Sequence, residues 1–414
     1  MKNNDGGVLF SRDGVKANFS AELIFLLGVV VFLPSFEAPK TYCLLLFIAV
    51  IIYRQIRAKR FNDVSFGDYL LISWMLVGFL VALFSPFDHN EWGGAITAML
   101  LPLLLLCLRR CAFNYKEISA IFHVAMLSTL LALAWGGWQL FMNYTSVLEL
   151  NSVGHVNHTA IYLSLAYGMA LAGVIYPNCI WRSRIFFMGM VGILWVSVII
   201  ASSRASLLAM FVITLSFLVF RFWGNKKGFF LCGFALSLII FATYKVNPPI
   251  VSKTIGILDY KERIQELPRY KIWNTAFLAW KNNPVFGVGL KNYSQINEDR
   301  IKGWLAKEGK TYDKNKYYPY SHGHSLFFNA LAEQGFVGVG IIFSMLIYFS
   351  FLLYKHKPYA TDSPINWLLW LGAVGAIEVV VVNGLFNTTL HHEHGLLAVL
   401  LIGLWWSGIK RVLE

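Results

Sequence analysis

Two histidines, His322 and His324, stand in Ser-His-Gly-His-Ser just ahead of a long apolar run. Ser321 and Ser325 are both suited to cap the helix that follows, so His324 falls within about a residue of a helix N-terminus. The positive end of that helix disfavours imidazolium, which predicts a neutral ring able to accept a proton. Arg204 stands in Ser-Ser-Arg-Ala-Ser between two apolar runs with almost no loop. An ionisable group at such a depth is a candidate for function, and its planar fork of donors matches phosphate oxygens. Arg269 follows Pro268 at the start of a segment in which Trp273, Phe277 and Trp280 recur at i, i+4 and i+7. That is the period of an amphipathic helix, with Arg269 one turn before Trp273 on the same face. Taken alone, Arg269 also fits an ordinary snorkelling or solvated arginine.

Two further histidine clusters, His155/His158 and His391/His392/His394, come from separate parts of the chain. A helical bundle could gather all three clusters, although outer loops are often simply polar. The run His391-His392-Glu393-His394 lacks the His-Glu-x-x-His spacing of a zinc helix, and adjacent histidines on a helix point apart. No metal ligand is therefore assigned. Below His324, Gly335, Gly338 and Gly340 leave bare backbone, which suits close helix packing or a groove for a lipid chain.

The elements that must carry these residues are membrane spans. The 414 residues are 57% hydrophobic and 14% charged, against about 25% charged in a soluble domain. Apolar runs of membrane-crossing length recur. Twelve spans are predicted, at 20–35, 39–53, 68–85, 93–108, 117–142, 159–176, 185–201, 205–222, 228–246, 325–354, 364–386 and 395–409. The N-terminal segment is polar and mildly basic, and no cleavable signal peptide is expected. The five cysteines lie in or beside apolar runs, which argues against a disulfide framework or a thiolate metal site.

Lysine and arginine crowd alternate short loops, which orients both termini toward the cytoplasm. Lys40 and Arg204 are the exceptions on the outer side. The net charge of +13 reflects those basic loops rather than nucleic-acid binding. The chain thus divides into spans over 1–246, a large outer loop over 247–323, and spans over 324–414. The loop holds thirteen Lys/Arg against seven Asp/Glu, a positive surface for an anionic substrate or headgroup.

These motifs resemble the O-antigen ligase family. His324, Ser325, Gly335 and Gly338 fit its histidine motif, Ser203-Arg204 its Ser-Arg element, and Arg269, Trp273 and the Asn283–Gly289 segment its Arg-x-x-x-Trp…Asn-Pro-x-x-Gly-x-Gly stretch. The resemblance implies an all-α, GT-C-like polytopic membrane protein of the bacterial inner membrane. Such an enzyme moves O-antigen from undecaprenyl pyrophosphate to a lipid A–core sugar at the periplasmic face, without metal, nucleotide or other cofactor. It carries over His324 as the catalytic histidine and Arg204 and Arg269 as essential arginines. His322, Arg263, Lys271, His391, His394 and Asn157 are the candidates for holding substrate.

Within the same superfamily, an O-antigen polymerase or a protein O-oligosaccharyltransferase would use similar motifs. The latter tends to carry an added C-terminal region. A transporter or flippase is the alternative from another class. Against it, no internal symmetry or matched pair of broken helices is visible, and mid-span charges reduce mainly to Glu333 and Glu378. Those two suit a proton relay or pairing with a buried donor.

Overall fold

The computed structural model describes residues 20–58, 64–176, 180–222, 268–359 and 361–413, together with Phe230 and Gly233. Its helices are α1 (Ala21–Phe32), α2 (Glu37–Ala58), α3 (Phe66–Leu83), α4 (Glu91–Arg109), α5 (Tyr115–Phe141), α6 (Val156–Ile175) and α7 (Trp181–Ile200). The rest are α8 (Arg204–Phe222), α9 (Pro268–Asn282), α10 (Glu298–Lys307), α11 (Leu326–Lys355), α12 (Pro364–Gly384) and α13 (His392–Leu413). Among the described residues, nine helices are long and apolar enough to cross a membrane: α2 to α8, α11 and α12. Helix α1 is apolar but has 12 residues, and α13 covers the last expected span. The expected span at 228–246, Arg263, Cys179 and Cys232 lie outside the described residues.

Local signals explain where several helices start. Ser65 and Asp68 cap α3 reciprocally, as Asn114 and Glu117 cap α5. Helix α6 is buried from Thr159 to Gly173 and packs against α5, α7, α8, α12 and α13. Such enclosure requires an apolar surface all round. At its crossing with α12, a Cβ built on Gly168 would lie 3.6 Å from the Gly375 Cα, so small residues set the approach of the two helices.

Charged pairs sort to opposite ends of the bundle. At one end Asp68 meets Arg109 and, at 3.1 Å, Arg110, while Arg54 pairs with Glu22 and donates to the Arg110 carbonyl. At the other end of α2, Lys40 pairs with Glu393 at the start of α13. Glu393 also accepts from the Ser152 hydroxyl at 3.0 Å. Lys40, one of the two exceptions to the charge pattern, is thus explained: it neutralises a buried carboxylate. Glu378 accepts from the Ser216 hydroxyl at 3.0 Å, in line with pairing to a buried donor.

The described part of the large loop builds its own core. Ile272, Ala276, Tyr293, Ile301 and Leu305 pack with Phe87 and Ala332 of the bundle. Pro268 opens α9 as expected. Trp273 stacks on Phe328 at 5.1 Å and Trp280 meets Phe336 at 4.9 Å, while Phe277 is half exposed. Two of the three aromatics on that amphipathic face therefore pack against α11.

Helix α11 is not continuous. Gly335 has φ +61° and ψ −156°, so the expectation of one unbroken span over 325–354 is corrected. The break frees backbone groups on both sides, and the Asn283–Gly289 loop takes them. Val288 and Gly289 donate to the carbonyls of Ala332 and Glu333, both at 2.9 Å. Phe336 and Val337 donate to those of Pro284 and Val285 at 2.9 and 3.2 Å. A buried break without such partners would leave polar groups unsatisfied at considerable cost. Gly287 is needed for the close approach, since a Cβ there would sit 2.5 Å from the Ala332 oxygen.

Candidate active site

The segment before α11 turns sharply. His324 has φ +47°, a left-handed conformation uncommon outside glycine and one that often marks a functional turn. Its N–H donates to His322 Nδ1 at 3.3 Å, which leaves His322 Nε2 to carry the proton of the neutral ring. The two rings lie 4.2 Å apart, and Tyr320 lies 4.8 Å from His324 and 5.6 Å from His322.

A hydrogen-bond relay fixes this turn from behind. Gly323 N–H donates to Asn329 Oδ1 at 2.9 Å, Asn329 Nδ2 donates to Glu333 Oε2 at 3.0 Å, and Glu333 Oε1 accepts from Tyr293 N–H at 3.2 Å. Glu333 is thus paired with buried donors. The turn also docks on the C-terminal end of α12. Ser325 Oγ donates to the Gly384 carbonyl and Leu326 N–H to the Asn387 carbonyl, both at 3.0 Å. Orphan carbonyls at that helix end are satisfied in this way. Ser325 occupies the N-cap position, but its hydroxyl makes no cap bond within α11.

Arg204 begins α8 after a turn of three residues from α7. Ser202 has φ +53°, which lets the chain reverse so tightly. Ser206, two residues beyond Arg204 on α8, donates to Asn383 Oδ1 at 3.1 Å. Asn383 precedes Gly384, so one end of α12 anchors both the Arg204 turn and the His324 turn. Arg269, on the first turn of α9, is half-buried. Burial pushes its guanidinium pKa down, and the charge of Arg204 adds to the effect. An anion between the two would offset both costs.

His324 is held neutral. Burial is the largest cause, followed by His322 and Arg269, with His155 and His158 adding less, and together they bring its pKa to about 3. The neutral ring anticipated from the helix dipole is therefore present, but desolvation and neighbouring charge are the stronger reasons. His324 Nδ1 is buried without a hydrogen-bond partner among the described residues. Burial, and then His155, also lowers the pKa of His322.

The three histidine clusters meet at this end. His158 lies 5.8 Å from His155, 5.0 Å from His391, 5.5 Å from His392 and 5.2 Å from His394, between ring centroids. Ligating nitrogens of His158, His391 and His392 lie within 4.8 Å of one another. The adjacent pair does not point apart as a helical pair would. His392 has φ +52°, and this left-handed residue brings the His391 and His392 rings to 4.0 Å.

The remaining candidates separate. Asn157 lines a cavity of about 340 Å³ with Ser146, Val156, Ala201 and Ser202, beside the Arg204 turn. His391 is hydrogen-bonded to the Thr388 hydroxyl at 2.7 Å and half-buried. His394 is fully buried and its Nε2 is hydrogen-bonded to the Thr388 carbonyl at 3.1 Å, a geometry for bracing the turn rather than for touching substrate. Lys271 lies two residues beyond Arg269 on α9, about 200° around the helix, so the two leave it from opposite sides. Tyr320, Asn329 and the Lys40–Glu393 pair escape the sequence reading. Of these, Lys40 alone left a trace, as the outlier in the charge distribution.

The fold and this site define a polytopic helical membrane protein with paired arginines and clustered histidines at one end of its bundle. Residues 189–343 match the family model described as O-antigen ligase, and the chain carries a domain of that family. The match runs from α7 into α11 and includes Arg204, Arg269, His322 and His324. No curated protein matches the chain significantly.

Proposed function

We infer that the protein is an O-antigen ligase. It transfers O-antigen polysaccharide from undecaprenyl pyrophosphate to a lipid A–core sugar at the periplasmic face of the bacterial inner membrane. Twelve spans, a GT-C-like arrangement and cytoplasmic termini belong to the same reading. The observation that carries it is a neutral His324, its Nδ1 unbonded among the described residues, within electrostatic reach of Arg269, whose own charge is opposed by Arg204.

In this mechanism the acceptor hydroxyl attacks the anomeric carbon as His324 takes its proton. The bond from that carbon to the pyrophosphate oxygen breaks, and its electrons leave with the lipid pyrophosphate. Arg204 and Arg269 stabilise the charge that develops there. A single displacement inverts the anomeric centre. A positioned general base contributes about 10²–10⁴-fold. Neither metal nor nucleotide takes part in the transfer.

The test is reconstitution of purified protein with lipid-linked glycan and rough lipopolysaccharide, without nucleotide. A ladder of capped lipopolysaccharide that is lost in His324→Ala supports the ligase. Longer lipid-linked chains without capping would assign a polymerase instead. Movement of the glycan across the bilayer without a new glycosidic bond would assign a transporter.

A further inference from the structure

We propose that His158, His391 and His392 form a binding site for a divalent late-transition ion of the zinc class, separate from the transfer chemistry. One imidazole comes from the first turn of α6, and two come from the turn that opens α13. Their ligating nitrogens already lie within 4.8 Å of one another, so an ion can be reached by all three with small rotations of the rings. Zinc binds imidazole nitrogen at about 2.0–2.1 Å and accepts three histidines with an open fourth position. An all-imidazole set without carboxylates favours zinc, copper or nickel over calcium or magnesium.

Three details support a site rather than a chance crowd. His391 Nε2 lies 2.7 Å from the Thr388 hydroxyl. When Nε2–H donates there, Nδ1 is left with its lone pair for the ion, as the outer hydrogen bond of a metal-bound histidine commonly does. The left-handed backbone at His392 holds two adjacent rings together, a conformation with an energetic cost that an ion would offset. His394, fully buried, stands 5.2 Å from both His158 and His391, and its Nδ1 has no hydrogen-bond partner among the described residues.

Glu393 does not join the set, because it is engaged by Lys40 and Ser152. His392 is exposed and His158 and His391 are half-buried, so the ion has a path from solvent and a place for water as fourth ligand. Bound there, it ties the start of α6 to the start of α13 without entering the transfer step.

The full-length protein, purified on a tag without histidines and stripped with chelator, would be titrated with Co²⁺ as a spectroscopic probe and with Zn²⁺ by calorimetry. One equivalent should bind, giving the visible bands of a nitrogen-ligated Co²⁺ site, and Zn²⁺ should raise the unfolding temperature. His158→Gln, His391→Gln and His392→Gln should each weaken binding by about tenfold or more, since losing even an outer-shell partner costs 10–100-fold. His392→Gln is the most informative because its side chain is exposed and the fold should tolerate the change. His155→Gln should leave stoichiometry at one. No binding, or affinity unchanged in all three variants, overturns the site. Capping by the stripped protein tests the transfer mechanism separately: if capping required the ion, the metal-free mechanism would fail while the binding site stood.

Discussion

The backbone N–H of Phe336 donates to the carbonyl of Pro284 at 2.9 Å, across a break in α11. Through this bond and its three neighbours, the Asn-Pro-x-x-Gly-x-Gly loop and the glycines after His324 become one structural unit. Two short motifs far apart in the chain are the two halves of a single interlocked joint.

Gly335 should tolerate no side chain. Its φ is +61°, and a Cβ would lie 2.4 Å from the Val285 oxygen. Gly335→Ala is expected to destabilise by at least the roughly 1–3 kcal/mol that strained backbone costs, lowering the unfolding temperature in detergent. Gly340→Ala, with nothing within 4 Å of its Cβ, should be silent in the same melt.

The rate of capping should be flat through the ordinary histidine range. His324 has its pKa lowered from 6.5 to about 3, by burial first and then by His322, Arg269, His155 and His158. The base form therefore persists on the acid side, and no loss of rate should centre near pH 6.5. The sign for stability follows from linkage. The folded state binds fewer protons, so this contribution is complete above the unfolded value and is lost as pH falls toward about 3. A rate profile that fell with a midpoint near 6.5 would count against His324 as a buried neutral base.

Arg269→Lys should keep a charge and lose the fork. Loss of one donor aimed at developing charge lowers kcat by about 10²–10³-fold, and lysine does not reproduce bidentate phosphate geometry. Single-turnover capping with saturating donor would show the fall in kcat. A variant equal to wild type would place Arg269 outside the leaving-group site.

Lys40 and Glu393 should behave as a unit. Removing one partner of a buried ion pair costs about 3–5 kcal/mol, because the other charge is left uncompensated. Lys40→Met or Glu393→Gln should each lower the unfolding temperature strongly. The double variant should recover much of the loss, which a thermodynamic cycle would reveal as coupling.

Much of the scaffold was legible from sequence. The span expected at 117–142 is α5 at Tyr115–Phe141, and that at 205–222 is α8 at Arg204–Phe222. Apolar run length and the residues that cap or interrupt it are local properties, written in neighbouring positions. The same locality made His324, Arg204 and Arg269 visible as candidates, since each stands out against its immediate surroundings.

Tertiary structure decided what no local pattern encodes. The break at Gly335 is held by carbonyls and amides about fifty positions away, so run length alone read it as ordinary helix. Whether adjacent histidines diverge or converge depends on the backbone sign at His392, which its side chain does not dictate. That Lys271 leaves α9 on the opposite side from Arg269, and that His394 is fully buried, follow from helix rotation and packing and not from chain spacing. Sequence determined that this chain is a helical membrane protein with charged and titratable groups at span ends. Only packing of α6, α11, α12 and α13 decided which of those groups share a site, because burial and proximity are set by contacts between distant segments.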